Sequence, residues 1–174
     1  MLDSGAALRV LVADDQAPLR LLCRITLEYE GLIVLEARDG IEALELARRE
    51  RPDLVLLDLM MPGLDGWQVA AALRAGEATS RIPIIFLSAH AEPAEQSRGL
   101  DSGGIDYITK PFDAIGLAAM IRKLLGRIDQ GGSEEVRAAA LNRVRALASG
   151  RLNPGDRPTA RASDSGRTAH MHTS

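Results

Sequence analysis

The chain is nearly without cysteine: Cys23 is the single one in 174 residues, so no intrachain disulfide can staple the fold. Set among apolar residues at helical spacing, that thiol reads as a small buried hydrophobe. Aromatic residues are also scarce, at 3%, so any core must be built from Leu, Ile, Val and Ala. No apolar run approaches the ~18 residues that a membrane span requires. The N-terminus has no basic start, apolar middle and small-residue cleavage site in succession. A cytoplasmic location with no membrane partner is therefore expected. The body of the chain also lacks a net positive charge. Residues 1–127 carry 14 Lys+Arg against 19 Asp+Glu, a net of −5, and residues 128–174 carry seven Arg against five acids, a net of +2. An acidic body makes nucleic acid an unlikely partner for it, because phosphate contacts need clustered Lys and Arg.

What the chain does have is a fivefold alternation. Short aliphatic runs fall at Leu8–Ala13, Leu32–Glu36, Leu54–Leu57, Ile82–Leu87 and Ile105–Ile108. They lack clean polar alternation, as strands buried on both faces do. Helical periodicity fills the intervals. In residues 16–30, Leu19, Leu22, Cys23, Thr26 and Leu27 share one face, Pro18 lies in the first turn, and Gly31 follows as a stop. Further helices are expected over Ile41–Arg49, opened by Asp39-Gly40, over Gly66–Ala75 and over Asp113–Arg127, with a shorter one over Glu92–Leu100. Strand and helix repeated five times predicts an α/β fold, a doubly wound parallel sheet of five strands with right-handed crossovers. In such sheets the working residues lie beyond the carboxyl ends of the strands.

Those ends carry chemistry. Asp14 and Asp15 follow the first run, Asp58 the third, Ser88 the fourth, and Lys110-Pro111 the fifth. Three carboxylates brought together repel one another unless a cation joins them. An all-oxygen set of this kind favours Mg²⁺ or Mn²⁺. With Lys110 as a second positive charge and Ser88 as a hydroxyl donor, the site suits the three oxygens of a phosphoryl group. One carboxylate is then the nucleophile and an acyl phosphate the product.

The stretches VADD (12–15), DLVLLDLMMPGLDGW (53–67), IPIIFLSA (82–89) and DYITKPF (106–112) resemble the receiver domain of bacterial two-component response regulators, across about residues 7–127. That resemblance implies a flavodoxin-like (βα)5 fold with Asp58 as phosphoacceptor. It makes Asp15 and Asp58 direct metal ligands, Asp14 a ligand acting mostly through water, and the backbone carbonyl of Met60 the third protein ligand. Ser88 and Tyr107 take the switch positions, Lys110 the phosphate-binding position, and the Lys110-Pro111 bond is implied to be cis. The implied partners are a sensor histidine kinase or phosphotransfer protein, a downstream protein target and a phosphorylation-dependent homodimer. The implied switch draws Ser88 to the phosphoryl group and turns the Tyr107 ring inward from a more exposed position. The resemblance also makes the chain a phosphoacceptor, not an enzyme in its own right, although it contributes to its own phosphorylation and dephosphorylation. Ser102 stands where such chains usually have Ala, so the fourth helix is expected to be short or mobile.

Other residues read as structural. Asp65-Gly66 is a helix-capping turn, Trp67 partly exposed helix packing, His90 an exposed loop histidine, and His170 and His172 too few for a metal site. Residues 128–150 form a linker, with a flexible break at Gln130–Ser133 and a candidate helix from Glu134 to Ala148. Its apolar face would be Val136, Ala140, Leu141, Val144 and Leu147. Residues 151–174, rich in Arg, Ser, Thr, Gly and Pro, are expected to be a disordered tail. With so little sequence after the body, the expected output is protein–protein contact by a stand-alone receiver. Two alternatives are a receiver whose DNA-binding part is absent from this chain and an aspartate-nucleophile phosphatase. The latter class wants an Asp-x-Asp pair on its first strand, where this chain has Asp14-Asp15.

Overall fold

The computed structural model describes residues 7–90 and 92–150; the stretch 151–174, expected above to be disordered, lies outside the described residues. Strands β1 (Arg9–Ala13), β2 (Ile33–Ala37), β3 (Leu54–Asp58), β4 (Ile84–Ser88) and β5 (Asp106–Thr109) alternate with helices. These are α1 (Ala17–Tyr29), α2 (Gly40–Glu50), α3 (Gly66–Ala75), α4 (Pro93–Asp101) and α5 (Leu117–Ala148). All strand pairs are parallel, in the order β2-β1-β3-β4-β5. The winding direction reverses between β1 and β3, so the crevice of a doubly wound sheet lies at their carboxyl ends.

Alternate residues of the strands feed two cores, which explains their near-continuous hydrophobicity. Val10, Val12, Leu54, Leu56, Ile85 and Leu87 pack against Cys23 and Leu27 of α1 and Leu117, Ile121 and Leu124 of α5. Leu11, Ala13, Val55, Leu57, Ile84 and Phe86 pack on the other face against Ala43 and Ala47 of α2 and Val69, Ala70 and Leu73 of α3. Burial pushes the Cys23 thiol up to about 11, which fits an inert core residue.

Several expectations are corrected. β2 is an edge strand, with Ile33 45% exposed and only Ala37 fully buried. Leu22 is exposed, because α1 docks along the narrower i, i+4, i+8 line of Leu19, Cys23 and Leu27. α5 begins at Leu117 and not at Asp113, because the Asp113 side chain accepts from Ile115 N–H at 2.9 Å and holds a turn there. Ser102, the unusual residue after α4, donates its hydroxyl to Gly99 O at 2.8 Å and closes a nine-residue helix, short as expected. The break expected at Gln130–Ser133 and the helix expected after it are both present, the break narrowed to one residue. Only Gly132 leaves the helical conformation (φ 79°, ψ 164°), kinking α5 into arms 117–131 and 133–148. A Cβ would disfavour that φ.

Candidate functional site

The four strand ends named from the sequence converge. Asp14, directly after β1, is fully buried, and its two carboxylate oxygens do different work. Oδ1 accepts from Gln16 N–H at 2.9 Å, shaping the entry to α1, while Oδ2 accepts from Lys110 Nζ at 2.6 Å. Arg20 fixes the same turn by donating to Asp14 O at 2.8 Å. Asp58 closes β3, 2% exposed; its Oδ1 lies 3.4 Å from Lys110 Nζ and accepts from Met60 N–H at 3.2 Å. Asp15 stands beside them, exposed to solvent. Carboxylate oxygens of Asp14, Asp15 and Asp58 all lie within 4.8 Å of one another.

The electrostatics of this cluster are unbalanced. Three carboxylates face the one ammonium of Lys110, and burial together with the Asp14 charge pushes the Asp58 carboxyl up to about 6, against the opposing pull of Lys110. A pocket this short of positive charge, lined by hard oxygens and open on the Asp15 side, suits a divalent cation. Met60 lies at its rim, 63% exposed, with its backbone tied to Asp58. The Lys110-Pro111 peptide is cis.

Ser88 and Tyr107, the two positions expected to switch, also meet here. Ser88 is buried at the end of β4, and its hydroxyl oxygen accepts from His90 N–H at 3.1 Å. Tyr107 donates its phenol to His90 O, also at 3.1 Å. The ring is only 6% exposed, so it already lies inside, contrary to the outward starting position expected above. It fits because α4 offers Gly99, where a Cβ would stand 3.2 Å from Tyr107 Cδ2 and 3.1 Å from Phe86 Cδ2.

With these groups assembled on one sheet edge, a family comparison is decisive: the model of the response regulator receiver domain matches residues 10–122. The chain belongs to that family. Curated relatives of this receiver include the DNA-binding dual master transcriptional regulator RpaA of Synechocystis sp., 43% identical over 122 residues, covering 70% of this chain and 51% of that protein. The phosphate regulon regulator PhoB of Escherichia coli is 40% identical over 130 residues, 75% of this chain and 57% of PhoB. The chain thus spans about half the length of these curated relatives. Among solved structures, the chemotaxis protein CheY4 of Vibrio cholerae matches with a TM-score of 0.64 and 30% identity, over 68% of this chain and 98% of its own. The receiver domain of sensor histidine kinase PA1611 of Pseudomonas aeruginosa, solved with a magnesium ion in its active-site cleft, matches with a TM-score of 0.64 and 32% identity, over 70% and 99%.

Some residues escaped the sequence reading. Gly66, taken only as part of a turn, also lies against the acceptor strand: a Cβ there would stand 2.4 Å from Asp58 O. The Asp65–Gln68 capping box opens α3 at that point. Asp106 pairs with Arg143, 37 residues later, a contact no local pattern announces. Trp67 is half-buried as expected, its ring 5.2 Å from Phe86 and beneath the Arg98 guanidinium at 4.6 Å. His90, exposed as expected, shares a second grouping with Glu92 and Glu95.

Proposed function

We propose that this receiver takes a phosphoryl group onto Asp58 from a sensor histidine kinase or phosphotransfer protein, in the cytoplasm, and passes the signal on through altered protein contacts. The observation carrying this is Asp58 itself: a buried carboxylate at the sheet's switch point, its Oδ1 within 3.4 Å of Lys110 Nζ. A phosphorus–nitrogen bond of the donor imidazole breaks, a bond from phosphorus to Asp58 Oδ forms, and the electron pair returns to the imidazole. Asp14, Asp15, Asp58 and the Met60 carbonyl would hold Mg²⁺ or Mn²⁺, which supplies neutralising charge for the phosphoryl oxygens when bound. Asp14 holds Lys110 at 2.6 Å, so the ammonium stays directed at the acceptor. Ser88 accepts from His90 N–H and carries a hydroxyl hydrogen that can turn to a phosphoryl oxygen. The chain acts here as an acceptor and not as a turnover enzyme. The face of α4, β5 and α5 is where contact with a downstream protein or a second copy is altered.

Incubation with a small acyl-phosphate donor tests this. One base-labile phosphate per chain is expected, dependent on Mg²⁺ or Mn²⁺ and absent in Asp58→Asn. Wild-type yield of base-labile phosphate in that variant would refute the assignment.

A further inference from the structure

The arm 133–148 of α5 does not extend away from the domain. Beyond the kink at Gly132 it lies back on α4 and β5, and Val136, Ala140 and Val144, at i, i+4 and i+8, are each no more than 3% exposed. Ala140, Val144 and Leu141 form a separate small core with Leu100 of α4. Arg143 donates to the carboxylate of Asp106, the first residue of β5, and the same Asp106 oxygen accepts from Tyr107 N–H at 2.8 Å. The arm therefore grips both sides of the Tyr107 slot. On one side it holds the residue before Tyr107. On the other it holds Leu100, next in α4 to the Gly99 that the Tyr107 ring packs against.

We infer that residues 133–148 are a built-in ligand of the α4–β5 face, which while docked keep the Tyr107 ring inside without a phosphoryl group and keep a second chain off that face. The geometry supports a ligand and not a permanent wall. The arm adds one narrow stripe and one ion pair, joined to the domain through a single glycine hinge. Two occupants cannot share the Leu100 and Asp106 surface, so a downstream partner or second copy binds there only after the arm leaves. That consequence rests on the phosphoacceptor reading above; the hold on Tyr107 does not.

The test uses the full chain without phosphate donor. Hydrogen exchange follows the amides of 133–148, and nitration by tetranitromethane compares Tyr107 with Tyr29, which is 88% exposed and serves as an internal standard. In the wild type the arm amides are expected to be protected and Tyr107 slow relative to Tyr29. Ala140→Glu places a charge in the stripe, and Arg143→Glu turns the ion pair with Asp106 into a like-charge pair while leaving the apolar stripe intact. Both should speed exchange in the arm and raise Tyr107 nitration about tenfold, within the usual range of coupling between sites, with Tyr29 unchanged. Fast arm exchange with Tyr107 still slow would overturn the inference. So would fast arm exchange in the wild type, or protection persisting in both variants, since stripe and ion pair would then not be what docks the arm. Failure of acyl-phosphate labelling would count against the acceptor reading and leave the nitration result standing.

Discussion

Asp58 is held in a state that costs the fold stability. Its carboxyl titrates near 6 where the ordinary value is 3.8, so the folded chain binds that proton more tightly than the unfolded chain does. Below about pH 4 the group is protonated in both states and no penalty arises. As pH rises from 4 to 6 the unfolded chain ionises first, and the folded state loses stability until the penalty is complete above 6. A shift of this size corresponds to on the order of 1–3 kcal/mol. In chelator, Asp58→Asn should therefore be the more stable protein at pH 7.5, with the advantage vanishing near pH 4. Denaturant melts at the two pH values check this, and a wild type equally or more stable at pH 7.5 would contradict it. The aspartates, Ser88 and Lys110 could be named from sequence because each follows an aliphatic run, and parallel strands bring such ends together. The inward Tyr107 ring could not, because its slot depends on Gly99 and on an arm more than 25 residues further along the chain.

At the level of elements, the junction of β3 and α3 sets how accurately the acceptor is placed. Gly66 N–H donates to Leu59 O at 3.0 Å, and the Asp65 cap starts α3 directly against the strand end. A methyl group at Gly66 would meet Asp58 O at 2.4 Å and Leu59 Cα at 2.7 Å, both backbone atoms that cannot rotate away. Gly66→Ala should therefore cost about 1–3 kcal/mol as overpacking and slow acyl-phosphate labelling, whereas Gly126→Ala, in α5 with open space around it and a helical backbone, should leave the labelling rate near wild type. Equal labelling rates in the two variants would show that this close approach does not position Asp58. The boundaries of α3 were legible because its cap, apolar face and following glycine agree. The start of α5 was not, because the Asp113 turn depends on side-chain geometry that composition does not encode, whereas the break at Gly132 was announced by the Gly131-Gly132-Ser133 run. The exposure of β2 was hidden for a different reason: a strand's aliphatic content does not say whether it lies at the edge of the sheet.

Across the whole molecule, the phosphoacceptor and the α5 arm act on one element from opposite ends. Ser88 and Tyr107 both hold the backbone of His90, one through its N–H and one through its carbonyl, so a phosphoryl group that draws in Ser88 pulls on the loop to which the phenol is tied. The arm holds the same tyrosine through Asp106 and α4. Two ligands that favour one state must favour each other, by the same factor in both directions. With the arm docked, Tyr107 is already inside and phosphorylation has little burial left to add. Once Arg143→Glu has loosened the arm, the inward state is only partly populated, and the phosphoryl group becomes the main influence upon it. Phosphorylation should thus change Tyr107 nitration little in the wild-type chain, yet slow it several-fold in Arg143→Glu and bring the arm amides back toward protection. If phosphorylation leaves both the nitration rate and the arm exchange of Arg143→Glu unchanged, site and arm are uncoupled, and the buried Tyr107 is a fixed part of the core with no role in carrying the signal.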